Sequence, residues 1–144
     1  MILLDTNVIS ALMQREPDHA VVSWLDSQPP ESIWTTAITV FEIRFGLEIL
    51  ASGKRRRVLE DAFSDMLADD FEGRVVPFDE AAAQWAGQFA AARRRTGRSI
   101  EIRDVQIAGI AAARKAAIAT RNVRHFEGLG PRLLDPWSGY NPPP

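Results

Sequence analysis

Residues 1–10, MILLDTNVIS, place four apolar side chains ahead of one carboxylate, Asp5, then Thr6, Asn7 and a second apolar run. Ile2 to Leu4 reads as a short buried strand, and from Asn7 onward Val8, Ile9, Leu12 and Met13 recur at helical spacing. A buried strand passing at once into an amphipathic helix is the opening unit of an α/β protein. The acid at the junction has two readings. It is a helix N-cap, or it is one arm of a metal site.

The same grammar recurs along the chain. Residues 21–28, VVSWLDSQ, read as a short helix, and 32–36, SIWTT, have the β-branched and aromatic content of a strand. In residues 37–50, AITVFEIRFGLEIL, the side chains Ile38, Phe41, Phe45, Leu47 and Leu50 predict one helical stripe. A helix follows over 57–71, a strand and turn over 73–80, an alanine-rich helix over 81–95 and another helix from Asp104. Residues 117–122, AIATRN, read as a buried strand, 124–130 as a loop, and 132–135, RLLD, as a last short strand. The order β-α-α-β-α-α-β-α-α-β predicts a parallel sheet covered by helices on both faces. In such sheets ligands bind outside the carboxyl ends of the strands, where Asp5, Thr36 and Asn122 are expected.

Each polar residue at these ends has an ordinary structural role open to it. Asp5 competes for the N-cap with Thr6 and Asn7. Thr39 and Glu42 have the spacing of a capping box. Asp104, with Glu101 three residues before it, suits the first turn of a helix, and Asn122 suits a turn. As a set, however, acids recur at junctions that a parallel sheet gathers together. Three ionised carboxylates about 5 Å apart repel pairwise by about 3 kcal/mol at an effective dielectric near 20, so protonation or a cation must relieve them. An all-oxygen site suits Mg²⁺ or Mn²⁺ better than zinc.

Composition narrows the chemistry. The chain has 144 residues, 46% of them hydrophobic and 25% charged, in the range of one globular domain. It contains no cysteine, which excludes disulfides, thiolate metal sites and cysteine nucleophiles. With only two histidines, His19 and His125, any metal site must be built mainly from oxygen. No stretch has the layout of a signal peptide or the length of a membrane span, and the expected location is cytoplasmic. The net charge of −2 gives no global attraction to nucleic acid, so any such binding rests on local patches. The basic runs are Lys54 to Arg57 and Arg93 to Arg95, for which phosphate contact competes with the commoner solvated helix face.

Four stretches taken together carry a resemblance: ILLDTNVIS (2–10), AITVFEIRFGL (37–47), RDVQIAGIAAA (103–113) and IATRNVRHFEGLG (118–130). They resemble, in order, the signatures of the PIN-domain ribonucleases, in particular the VapC-type toxins of bacterial toxin–antitoxin pairs and their FitB-like branch. The resemblance extends through LLDPW (133–137). It implies a Rossmann-like three-layer α/β/α fold, RNA cleavage dependent on Mg²⁺ or Mn²⁺, and inhibition by a cognate antitoxin. By motif match Asp5, Glu42 and Asp104 stand at the family's three acids, with Asp5 and Asp104 as direct ligands and Glu42 binding directly or through water. Asn122 stands where a fourth acid is common, and His125 where many relatives carry an acid. Thr6 is expected to support Asp5 or a phosphate. The resemblance further implies a homodimer or a dimer of toxin–antitoxin heterodimers that meets DNA only through the antitoxin. The expected organisation is one domain over 1–138 and a proline-rich tail over 139–144. The rival readings are a catalytically silent α/β binding module and a metal-dependent phosphatase; the haloacid type of phosphatase needs a second acid that DTNVIS lacks.

Overall fold

The computed structural model describes residues 1–139, so nearly all of the expected tail lies outside the described residues. The chain runs β1 (Ile2–Leu4), α1 (Thr6–Leu12), α2 (His19–Asp26), β2 (Ile33–Thr36), α3 (Ala37–Glu48), α4 (Lys54–Asp65), β3 (Val75–Val76), α5 (Glu80–Arg95), α6 (Ile102–Arg114), β4 (Ala117–Ala119), α7 (Val123–Phe126) and β5 (Leu133–Leu134). The expected alternation is present. The segment read as a loop over 124–130 begins as the short helix α7, and RLLD does form a strand.

The five strands make one parallel sheet in the order β3-β2-β1-β4-β5. Because successive strand residues face opposite sides, the sheet divides the core in two. Leu4, Ala117 and Ala119 join Val8, Ile9, Val21, Ile43 and Phe63 under α1 to α4. Leu3 and Ile118 join Ala82, Val105, Ala108 and Ile110 under α5 and α6. The result is the expected three-layer α/β/α arrangement.

On the second face, α5 and α6 approach very closely. An added Cβ at Gly109 of α6 would lie 2.4 Å from the Ala82 carbonyl oxygen and 2.9 Å from the Ala86 Cβ. The alanine-rich composition of α5 thus serves contact as well as helix propensity.

The stripe expected on α3 holds at Leu47, which is buried, and at Ile38 and Leu50, which pack on the core, but fails at Phe41 and Phe45. Its buried residues are Thr39, Ile43 and Leu47, whereas Phe41, Phe45 and Ile49 are 58%, 53% and 70% exposed. The helix carries apolar residues nearly all round, so periodicity could not choose its inner face. The junction with β2 does so. The N-cap is Thr36, whose Oγ1 accepts from the Thr39 amide at 3.1 Å. The Thr39–Glu42 capping box is therefore not formed, and Glu42 is free of any capping duty.

Candidate functional site

The carboxyl ends of β1 and β4 lie side by side because Leu4 pairs with Ala119. The next residues, Asp5 and Thr120, consequently meet although 115 positions separate them: Thr120 Oγ1 donates to Asp5 Oδ2 at 2.8 Å. Asn7 Nδ2 lies 3.2 Å from both Asp5 Oδ2 and Thr120 Oγ1, and the Asn122 amide also donates to Thr120 Oγ1, at 3.0 Å. The Thr120 hydroxyl thereby uses its one proton and both lone pairs. Asp5 Oδ1 accepts from the Thr6 amide at 2.8 Å. Asp5, rather than Thr6 or Asn7, is thus the N-cap of α1, and it still faces the cleft. Only 6% of its surface is exposed, and burial raises its pKa against the hydrogen bonds from Thr120, Thr6 and Asn7.

Glu42 reaches the same cleft from α3. Burial raises its pKa first and the Asp5 charge second, against the Arg103 guanidinium, whose Nη1 lies 3.7 Å from Glu42 Oε2. Thr6 Oγ1 is buried and has no partner at full hydrogen-bond geometry, although it lies near enough to the Glu42 carboxyl to lower its pKa.

Asp104 lies in the first turn of α6, but the N-cap is Glu101, which accepts from the Arg103 amide at 3.4 Å. Burial raises the Asp104 pKa; the Asp5 and Glu101 charges add to that and His125 opposes it. His125 Nδ1 lies 3.2 Å from Asp104 Oδ2. Asn122 stands at the start of α7 and lines the cleft, and among the described residues its side-chain amide has no hydrogen-bond partner.

The three carboxylates and Asn122 therefore share one open cleft of about 820 Å³ at the carboxyl edge of the sheet. They are not drawn into a closed cage. Among the described residues no three acidic or histidine side chains are gathered closely enough to hold a metal ion as they stand. The donor chemistry nonetheless fits a hard divalent cation, because the acids are oxygen donors and the Asp5 charge raises the pKa of both Glu42 and Asp104. The unpartnered Thr6 hydroxyl beside them fits the same environment.

The family pattern described as PIN domain matches residues 2–129. The chain belongs to the PIN domain family. It is 40% identical over 137 residues to VapC ribonuclease Y4jK of Sinorhizobium fredii, covering 95% of this chain and 98% of that protein. It is 37% identical to Toxin FitB of Neisseria gonorrhoeae, covering 95% and 99%. Among solved structures it is similar to FitAcB from Neisseria gonorrhoeae, with a TM-score of 0.87, 37% identity and coverage of 95% of this chain and 99% of that one. DNA-bound VapBC from Salmonella typhimurium superposes with a TM-score of 0.77 at 27% identity, covering 94% and 97%.

In this PIN domain the basic run at the end of α5 is divided in function. Arg93 is only 7% exposed, and its Nη2 donates to the carbonyl oxygens of His125 and, at 3.5 Å, Glu127. It ties α7, and so the Asn122 side of the cleft, to α5; it does not present its charge to a phosphate. Arg94 and Arg95 are exposed. Arg93→Gln is expected to cost about 2 kcal/mol through lost charged hydrogen bonds, lowering the melting midpoint by roughly 4–8 °C. The double change Arg94→Gln/Arg95→Gln should stay within about 0.5 kcal/mol per site. Thermal melts of the two variants check this, and equal midpoints would refute the clamp.

Sequence reasoning overlooked Thr120, Arg103, Arg121 and Trp137, all of which contact the site or line its cleft. Thr120 and Arg121 lie inside the quoted signature 118–130. Only the β1–β4 pairing gives Thr120 its role.

Proposed function

We propose that this chain is a metal-dependent endoribonuclease toxin of a toxin–antitoxin pair, held inactive by a cognate antitoxin. The carrying observation is the convergence of Asp5, Glu42 and Asp104, from three separate elements, on one cleft at the carboxyl edge of the sheet. Glu42 caps nothing, which disfavours a silent module whose acids are only helix caps. The relatives named as ribonucleases supply the substrate class, and one further relative is named a tRNA(fMet)-specific endonuclease.

In this reading Asp5, Asp104 and Glu42 hold Mg²⁺ or Mn²⁺. Such an ion, when bound, activates water, polarises the scissile phosphate and offsets charge on the leaving oxygen. The protein supplies the placement. Thr120 and Asn7 lock the Asp5 carboxylate in one orientation, the supporting role that fixes ligand geometry. Thr6 Oγ1 has a proton to give to Glu42 or to a substrate oxygen. The Asn122 side-chain amide, free of protein partners among the described residues, orients the phosphate or a water. Arg103 and Arg121 bring positive charge to a cleft that must accept a polyanion.

A basic antitoxin side chain entering the acidic pocket would displace the cation, and the Arg103–Glu42 contact is an internal example of such pairing. The antitoxin's apolar helix suits the outward face of α3, where Phe41 and Phe45 stack with ring centroids 6.2 Å apart. The structural neighbours are toxin–antitoxin complexes, some bound to DNA. By analogy we assign this chain a cognate antitoxin, DNA contact only through it, and a homodimer or dimer of heterodimers. No helix among the described residues is long and apolar enough to cross a membrane, and we place the protein in the cytoplasm as one domain over 1–138.

The defining experiment is an RNA digest by the antitoxin-free chain with Mn²⁺, Mg²⁺ or chelator. No cation-dependent cleavage of any RNA pool would overturn the reading. Within that assay, Asn122→Ala is expected to lower the single-turnover rate by roughly 10-fold, the smaller end of the cost of losing a supporting partner. Asp104→Asn should cost far more, because Asn122 only orients. Asn122→Asp should tighten Mn²⁺ binding by adding a charge. Equal losses for Asn122→Ala and Asp104→Asn at saturating Mn²⁺ would reverse the ranking.

A further inference from the structure

Beyond the acids, the same cleft holds a cation placed over an aromatic ring. The Arg121 guanidinium carbon lies 5.1 Å from the centroid of the Trp137 ring, and both residues line the cleft of Asp5, Glu42 and Asp104. Arg121 is exposed and makes no ion pair with a carboxylate among the described residues. That is unusual for an arginine beside an acidic cleft, and it leaves the cation–π contact as the interaction that holds the side chain.

Neither residue is loosely placed. Trp137 is half-buried against the core under α1 to α4, and its amide donates to Asp135 Oδ1 at 2.9 Å. The Arg121 amide donates to Asn7 Oδ1 at 3.0 Å, and Asn7 Nδ2 donates in turn to Asp5 Oδ2. Two hydrogen bonds therefore set the position of the Arg121 backbone against the carboxylate at the centre of the site. The indole N–H of Trp137 donates to no described residue.

We infer that Arg121 and Trp137 form a nucleobase-stacking subsite at one end of the acidic cleft, with the indole as floor and the guanidinium plane as the surface on which a base of single-stranded RNA stacks. This rests on the ribonuclease reading and deepens it. Single-stranded RNA is held by stacking on aromatic rings and on guanidinium planes. A phosphate clamp alone would need only charge. A guanidinium held over an indole offers a base a plane as well as a charge, and lysine cannot replace it there. A stacked base fixes the neighbouring phosphate relative to Asp5, so the pair acts as a positioning device and takes no part in the reaction itself.

The test uses the full chain carrying Asp5→Asn, so that RNA is bound without being cut. Two fluorescent probes of equal length are compared by anisotropy: a short single-stranded oligoadenylate and its abasic ribose–phosphate counterpart. Trp137→Ala and Arg121→Lys are each expected to weaken oligoadenylate binding by about 10-fold, with less than a roughly 2-fold change for the abasic probe. Trp137→Phe, which keeps a ring and the packing, should restore most of the loss, and thermal melts confirm that each variant folds. Equal losses on both probes, or no loss on oligoadenylate, would overturn the subsite and leave the contact as surface packing. Absence of Mn²⁺-dependent RNA cleavage by the unsubstituted chain would defeat the ribonuclease reading by itself. Base-independent binding by a chain that does cleave RNA would defeat only the stacking subsite, and so would no binding of either probe by the Asp5→Asn parent, because the ribonuclease reading stands or falls on cleavage alone.

Discussion

Asp5→Asn is expected to remove Mn²⁺-dependent RNA cleavage, with a loss of more than about 100-fold, since even partners that merely support a metal ligand cost 10–100-fold. The amide has nearly the shape of the carboxylate, and its oxygen still accepts from the Thr6 amide. Its nitrogen, however, comes to face the donors Asn7 Nδ2 and Thr120 Oγ1, which now converge on Oδ2. One negative charge is also lost from a pocket in which Asp5 raises the pKa values of both Glu42 and Asp104. A single-turnover digest with wild-type and Asp5→Asn protein decides the matter. Cleavage by the variant at the wild-type rate would remove Asp5 from the site.

The same substitution has a signature in pH that is independent of activity. Asp5, Glu42 and Asp104 all have folded-state pKa values above their ordinary ones, burial being the first cause in each case. A raised carboxyl binds its proton more tightly when folded, so its contribution to stability is present at low pH and is lost as pH rises through the folded value. In chelator, the melting midpoint of Asp5→Asn relative to wild type should therefore increase as pH rises through that range. Added Mn²⁺ should favour wild type and reverse the trend. A difference that stays flat from acid to neutral pH would mean that Asp5 is not held at a raised pKa.

Gly109→Ala should be the most damaging single methyl addition in the interior. Its Cβ would fall 2.4 Å from the Ala82 carbonyl oxygen and 2.9 Å from the Ala86 nitrogen. Both atoms belong to the backbone of α5 and cannot rotate aside, so the helices must separate. Overpacking of this kind costs roughly 1–3 kcal/mol, and the rigidity of the obstacle puts the expectation near 3. Gly46→Ala and Gly87→Ala are the controls. Both lie within helices, meet nothing within 4 Å, and should gain roughly 0.5–1 kcal/mol. Urea denaturation of the three variants checks the order. Because α6 also carries Asp104, a Gly109→Ala protein that folds should lose some activity through displacement of that acid.

What was legible in the chain differs by residue. The strand-then-helix reading of MILLDTNVIS, and the placing of Asp5 and Asn122 at one edge, needed only short-range periodicity and the rules of parallel sheets, whereas Glu42 and Asp104 were assigned to the site through the family resemblance; the structure brings all four to one cleft. The four signatures quoted for the PIN family lie, but for Gly130, in the region that the family match covers, 2–129. The errors have local causes. On α3, Phe41 and Phe45 fit a helical stripe with Leu47 as well as Ile43 does, so hydrophobicity alone could not select the inner face. Arg93 stood in a run of like charges that suggested a surface, yet two backbone carbonyls draw it inward.

The sequence by itself determined the order of elements, the layered α/β class and the kinds of ligand atom available, because backbone periodicity and side-chain chemistry are properties of short stretches. The tertiary structure alone decided that β1 lies between β2 and β4. From that follow the Thr120–Asp5 hydrogen bond, the Arg103–Glu42 pairing across α6 and α3, and the seating of Arg121 over Trp137. The physical reason is that strand neighbours and helix phase are chosen by burial over the whole chain, through contacts such as that of Thr120 with Asp5, 115 positions away, that no local pattern encodes.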